Sequence, residues 1–135
     1  MTFQPERLPR VVIADDHPSV LVAFARMLEA SCEVVASVPN GQDAIAAVER
    51  FRPDILLVDL MLPDVDGLAV CRTVKQTAPE TDVVIVTAFD DALVEATAMQ
   101  DGASAFVAKH SAAATLEQTI HRIFAKRQRE REQFD

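Results

Sequence analysis

The sequence predicts an α/β domain, a doubly wound parallel sheet of five strands with five helices. Three observations predict it. Unbroken apolar runs at Val11–Ala14, Ile55–Val58 and Val83–Val86 have the composition of strands buried on both faces. The stretches between strands carry apolar residues at helical spacing. Strand and helix signals alternate along the chain, as in βαβ units, whose right-handed crossovers make a parallel sheet with helices on both faces. The strand order expected for such a sheet is 2-1-3-4-5.

Each element follows from local chemistry. Met1 to Arg10 is an irregular lead-in broken by Pro5 and Pro9. The first strand, Val11–Ala14, ends on Asp15 and Asp16. Pro18 suits the first turn of a helix, and Leu21, Phe24, Ala25 and Leu28 carry that helix to about Ala30. Glu33 to Val38 is a β-branched second strand, closed by Pro39-Asn40-Gly41. Asn40 or Gly41 starts a helix with Ala44, Ile45, Val48 and Phe51 inward, which Arg52-Pro53 stops. The third strand ends on Asp59, and Pro63 with Asp66-Gly67 forces a loop after Leu60, Met61 and Leu62. A helix from about Gly67 to Thr77 follows, and then a fourth strand ending on Thr87. The next helix runs from about Asp90 to Asp101, with Gly102 as its stop. Ser104 to Ala108 is the fifth strand, followed by Lys109. Leu116, Ile120, Ile123 and Phe124 mark one face of a last helix that is free to run on through the charged tail. This arrangement is the flavodoxin-like one, read as a lead-in (1–9), one domain (10–125) and a charged helical tail or linker (126–135).

Composition narrows the function classes. At 135 residues the chain is long enough for one well-formed core. A net charge of −8 argues against nucleic-acid or anionic-membrane binding by the body. Cys32 and Cys71 stand apart without metal-like spacing, as reduced cysteines in a cytoplasmic protein do. No apolar run approaches the roughly 20 residues of a membrane span.

The polar residues of interest all lie at or just past strand ends: Asp15 and Asp16, Asp59, Thr87 and Lys109. Ligands bind at this edge in open α/β sheets. Crowded carboxylates repel, and a hard divalent cation or a nearby ammonium relieves them. A carboxylate so placed can attack phosphorus as a nucleophile. Phosphoryl transfer then needs positioning and charge stabilisation, which a metal, the Lys109 ammonium and the Thr87 hydroxyl can supply. Taken singly, each residue has a plainer reading: Asp15 as a cap, Asp59 as a turn former, Thr87 as a β-former, Lys109 as a solvated charge. Their joint placement favours the functional reading.

Four motifs, VVIADDHP, DLMLPDVDG, VTA and FVAK, stand in order across nearly the whole chain. With them the chain resembles a response-regulator receiver domain of bacterial two-component signalling. The resemblance implies Asp59 as phospho-acceptor. It implies Asp16, Asp59 and the Met61 carbonyl as Mg²⁺ ligands, with Asp15 acting partly through water. It implies Thr87 and Phe106 as switch residues and Lys109 as the phosphoryl-binding cation. Its partners would be a sensor histidine kinase or a histidine phosphotransfer protein. A homodimer and an output domain outside this chain are also open. The DDHP start resembles the branch whose receivers precede LuxR-type helix-turn-helix domains, which would make transcription the regulated process. His110 departs from the proline that often follows the lysine, and Phe106 lacks a tyrosine hydroxyl. His17 and His110 read as incidental neighbours of the site, and His121 as a surface residue of the last helix. Asp64, Asp66, Asp90 and Asp91 read as loop and cap acids.

Two other classes stay open. A Mg²⁺-dependent aspartyl-phosphate phosphatase would use the same Asp, Thr and Lys, but such enzymes usually need an acid two residues after the nucleophile, where Met61 stands. A phosphate-independent binding module would not need the acid triad. The expected identity is therefore a switch that accepts phosphate and is not an enzyme in its own right.

Overall fold

The computed structural model describes residues 7–89 and 91–134. Its five-stranded parallel sheet has the order β2-β1-β3-β4-β5, as the alternation of runs predicts. The strands are β1 (Arg10–Ala14), β2 (Glu33–Val38), β3 (Ile55–Asp59), β4 (Asp82–Thr87) and β5 (Ala105–Ala108). The helices are α1 (Pro18–Leu28), α2 (Gly41–Phe51), α3 (Gly67–Thr77), α4 (Ala92–Gln100) and α5 (Ala112–Phe134).

Because side chains alternate along a strand, each apolar run feeds two cores. Val12, Leu56, Val58, Val83 and Ile85 face α2, α3 and α4, where they meet Ala44, Val48, Val70, Val74 and Ala98. Val11, Ile13, Ile55, Leu57, Val84 and Val86 face α1 and α5, against Phe24, Leu28, Leu116 and Ile120. Ile55 to Val58 are at most 1 % exposed. Burying each of these side chains is worth about 1.5–3 kcal/mol, so β3 is fixed tightly and the acid at its end is fixed with it.

Helix ends follow local chemistry. Asn40 caps α2 by accepting from the Asp43 amide at 2.8 Å, and Arg52 ends it in the left-handed region at φ 45°. Asp66 caps α3 through the Ala69 amide at 2.9 Å. Asp91 caps α4 through the Leu93 amide at 2.8 Å, so that helix starts at Ala92, later than its apolar pattern suggests; Asp90 lies outside the described residues. α1 stops at Leu28, short of Ala30. Lys109–Ser111 form a 3₁₀ turn before α5, an element with no sequence signal of its own. α5 is continuous through the charged segment to Phe134.

The sheet edge opposite the strand-end acids is closed by ion pairs. Asp54 accepts from both guanidinium nitrogens of Arg7 at 2.7 and 2.8 Å and from the Arg10 amide at 2.8 Å. Buried Asp82 accepts from Arg127 on α5 at 2.8 and 3.2 Å and from the Ser104 hydroxyl at 2.7 Å. Cys32 and Cys71 are buried and unpaired. His121, expected on the helix surface, is half-buried, with Nε2 3.8 Å from Cys32 Sγ, because α5 packs against the segment between α1 and β2.

Candidate functional site

Parallel register assembles the site. Ala14 pairs with Val58, so the next residues, Asp15 and Asp59, come side by side. Asp59 pairs with Val86, and Thr87 pairs with Ala108, which puts Thr87 and Lys109 one step beyond on the neighbouring strands. The carboxylates of Asp15, Asp16 and Asp59 gather with His17 so that one ligand atom from each lies within 4.8 Å of the others.

Asp15 and Asp59 are 1 % and 4 % exposed. Lys109 lies between them, its Nζ 2.8 Å from Asp15 Oδ2 and 3.1 Å from Asp59 Oδ2. Asp59 Oδ1 accepts from the Met61 amide at 3.2 Å. Asp15 Oδ1 accepts from the His17 amide at 2.9 Å, and the ring Nδ1 of His17 is 3.1 Å from it. Asp16 faces solvent, with Oδ1 3.1 Å from the same ring nitrogen.

Electrostatics separates the two buried acids. Burial pushes the Asp59 carboxyl above its ordinary pKa, the Asp15 charge pushes the same way, and hydrogen bonds from Lys109 and the Met61 amide only partly oppose this. Burial acts on Asp15 too, but Lys109 and the His17 amide outweigh it and hold that carboxyl below the ordinary range. Burial disfavours the Lys109 ammonium, yet Asp15 and Asp59 more than compensate and raise its pKa. Lys109 therefore serves the two buried carboxylates while Asp16 has no ammonium of its own, and the all-oxygen carboxylate set fits a hard divalent cation such as Mg²⁺.

The loop after β3 is built to hold Asp59 still. Asp64 reaches across to accept from the Gly41 and Gln42 amides at 2.7 and 3.0 Å, capping α2 from outside. The Gly67 amide donates to the Leu60 carbonyl at 2.8 Å. A Cβ at Gly67 would come within 2.6 Å of the Asp59 carbonyl oxygen and 2.8 Å of Leu60 Cα. Gly67→Ala is therefore expected to cost about 1–3 kcal/mol in overpacking and to weaken cation binding by shifting Asp59. Chemical denaturation and Mg²⁺ titration of the variant check both effects.

Thr87 is fully buried, and its hydroxyl accepts from the Phe89 amide at 3.0 Å. Phe106 is half-buried on β5, packed against the α2–α3–α4 side of the core. Met61 is 59 % exposed, so it is a rim residue. His110 is exposed in the 3₁₀ turn, and the change from proline leaves Lys109 aimed into the site. Sequence reasoning passed over His17 as a neighbour, although its adjacency to two acids in the DDHP run was a signal. It also missed the partner of Asp64, which only tertiary structure reveals.

Comparison with known proteins identifies the family and the fold. Residues 11–121 match the family model described as the response regulator receiver domain. The chain is 35 % identical over 105 residues to the oxygen regulatory protein NreC of Staphylococcus epidermidis, covering 76 % of this chain and 48 % of that protein. It thus spans about half the length of the curated relatives it matches. Among solved structures, the signal receiver domain of the response regulator NarL from Mycobacterium tuberculosis superposes with a TM-score of 0.81 at 29 % identity, over 85 % of this chain and 94 % of that one. A LuxR-family two-component response regulator from Aurantimonas sp. SI85-9A1 superposes with a TM-score of 0.85 at 30 % identity, over 89 % and 87 % of the two chains. The chain belongs to the response-regulator receiver domains of two-component signalling, with its relatives in the LuxR-linked branch.

Proposed function

We propose that Asp59 accepts a phosphoryl group from a sensor histidine kinase or a histidine phosphotransfer protein, with Mg²⁺ held by Asp16, Asp59 and the Met61 carbonyl. Asp15 contributes to the metal partly through water. The observation that carries this reading is the convergence of the three carboxylates with Lys109 at one sheet edge. The metal supplies charge neutralisation at the phosphoryl oxygens. Lys109 holds a second oxygen, and the Thr87 hydroxyl takes a third. Asp59 is the nucleophile, and Asp15 keeps Lys109 in place.

The added charge then biases a two-state element. Thr87 moves toward the phosphoryl group, Phe106 follows into the space released, and the face made by α4, β5 and α5 changes shape. That face suits a protein partner: Leu93 and Met99 on α4 are 79 % and 46 % exposed. Met99 also lines a cleft of about 600 Å³ together with Ser104, Ile123 and Lys126. The readout is a homodimer, a separate effector or a DNA-binding output domain, the last in keeping with the LuxR-family relative. No described helix is long and apolar enough to cross a membrane, and the two unpaired cysteines fit the reducing cytoplasm. The domain acts as a switch rather than an enzyme with its own substrate.

Incubation with acetyl phosphate and Mg²⁺, followed by intact-protein mass measurement, tests this reading. A lasting gain of one phosphoryl group is expected, lost in Asp59→Asn and weakened in Asp16→Ala together with Mg²⁺ affinity. Labelling of Asp59→Asn at an unchanged rate would remove Asp59 from its role. Rapid multiple turnover of phosphomonoesters would instead make the chain an enzyme.

A further inference from the structure

We propose that His17 belongs to the cation site, adding an imidazole nitrogen to the carboxylate shell. The site would then favour a borderline divalent ion such as Ni²⁺, relative to Mg²⁺, more than an all-oxygen shell would. The inference rests on the reading of the acid cluster as a cation site.

The backbone of His17 is held on both sides. Its amide donates to Asp15 Oδ1 at 2.9 Å, and its carbonyl accepts from the Val20 and Leu21 amides at 3.0 and 3.2 Å. Pro18 follows as the first helical residue. His17 occupies the N-cap position of α1, yet its side chain makes no capping hydrogen bond. The ring turns back toward the acids, with Nδ1 3.1 Å from Asp15 Oδ1 and 3.1 Å from Asp16 Oδ1.

The separation from Asp16, the direct ligand of the pair, fits a shared ion. Ligands at the Mg²⁺-like distance of about 2.0–2.1 Å in octahedral geometry lie about 3 Å apart along each edge. Without an ion the same spacing is that of an N–H donating to carboxylate oxygens, and the neutral ring with its proton on Nε2 presents the Nδ1 lone pair instead. The His17 side chain is 63 % exposed, so the ring is free to make that small adjustment. Mg²⁺ prefers oxygen, whereas imidazole suits Ni²⁺, Zn²⁺ and Fe²⁺. His17 therefore changes which ion the site prefers more than it changes Mg²⁺ binding.

Calorimetric titration of the full chain with Mg²⁺ and Ni²⁺, in competition with each other, provides the test. His17→Ala is expected to lower Ni²⁺ affinity at the shared site about tenfold more than it lowers Mg²⁺ affinity. Mn²⁺-loaded wild-type protein is expected to show ¹⁴N coupling in pulsed electron paramagnetic resonance, and His17→Ala to lack it. An equal loss for both ions, with no ¹⁴N coupling, would make His17 only an orienting partner of the acids and overturn the proposal. If wild-type protein binds neither ion and Asp16→Ala changes nothing, the cation-site reading itself fails.

Discussion

Lys109→Ala is expected to destabilise the domain by about 3 kcal/mol or more at neutral pH, the usual consequence of stripping one partner from a buried ion pair. Lys109 is the ammonium that bridges Asp15 and Asp59, at 2.8 and 3.1 Å, and both acids are nearly inaccessible to water. Without it, two like charges are left buried side by side. For a domain of this size the loss lowers Tm by roughly 10 °C. The pH dependence has a definite sign. In the variant, burial and mutual repulsion dominate both acids, so their folded pKa values rise above the unfolded value of about 3.9. The folded state then binds more protons than the unfolded chain at mildly acidic pH. The penalty is full at neutral pH and shrinks as pH falls through the raised pKa values; what remains at the unfolded value is the wild type's own stabilisation through Asp15, which is lost only as pH falls through that group's depressed folded pKa. Mg²⁺ is expected to restore part of the loss. Circular dichroism melts with and without Mg²⁺, at neutral and mildly acidic pH, check this; they also suit a chain without Trp or Tyr. Equal Tm values for the two proteins at neutral pH would refute the assignment of Lys109 as the counter-ion.

Asp59→Asn is expected to do the opposite to stability while ending phosphorylation. Burial, and then the charge of Asp15, raise the Asp59 pKa. An ionised Asp59 therefore costs folding free energy at neutral pH, and a neutral amide of the same shape removes that cost. Lys109 keeps Asp15 as its partner, and the amide oxygen can still accept from the Met61 amide. The gain belongs to the pH range above the raised pKa. It declines as pH falls through that value and vanishes below the unfolded one. Each 1 kcal/mol gained appears as about 4 °C in Tm. Mg²⁺ inverts the order: at a hundred times its Kd it stabilises wild type by about 2.7 kcal/mol, whereas the Asn variant has lost a ligand. A stability ranking that crosses over on adding Mg²⁺ is the signature. Parallel curves would show that Asp59 is not a ligand.

The parts of this domain legible in the sequence are those set by local pattern. Apolar runs ending at Ala14, Asp59, Thr87 and Ala108 located four strand ends, and parallel topology then dictated that their successors share one edge. Bounds slipped where a polar side chain competed with the apolar pattern, as when Asp91 took the cap of α4. Long-range pairings left no trace. Nothing in the spacing says that Asp64 caps a helix two elements earlier, that Arg127 answers Asp82, or that Lys109 holds Asp15 as closely as Asp59. These contacts depend on where helices pack, and packing is decided by whole faces rather than by neighbours in sequence.

The hydrogen bond from the Phe89 amide to the Thr87 hydroxyl has a mechanical consequence. That hydroxyl is the acceptor for an amide in the β4–α4 loop, so a swing of the side chain that left the backbone behind would break this hydrogen bond, at a net cost of about 0.5–1.5 kcal/mol. Side chain and loop are thereby yoked, so a displacement of that hidden oxygen, were phosphorylation to cause one, would be expected to carry the exposed surface around Phe89 with it.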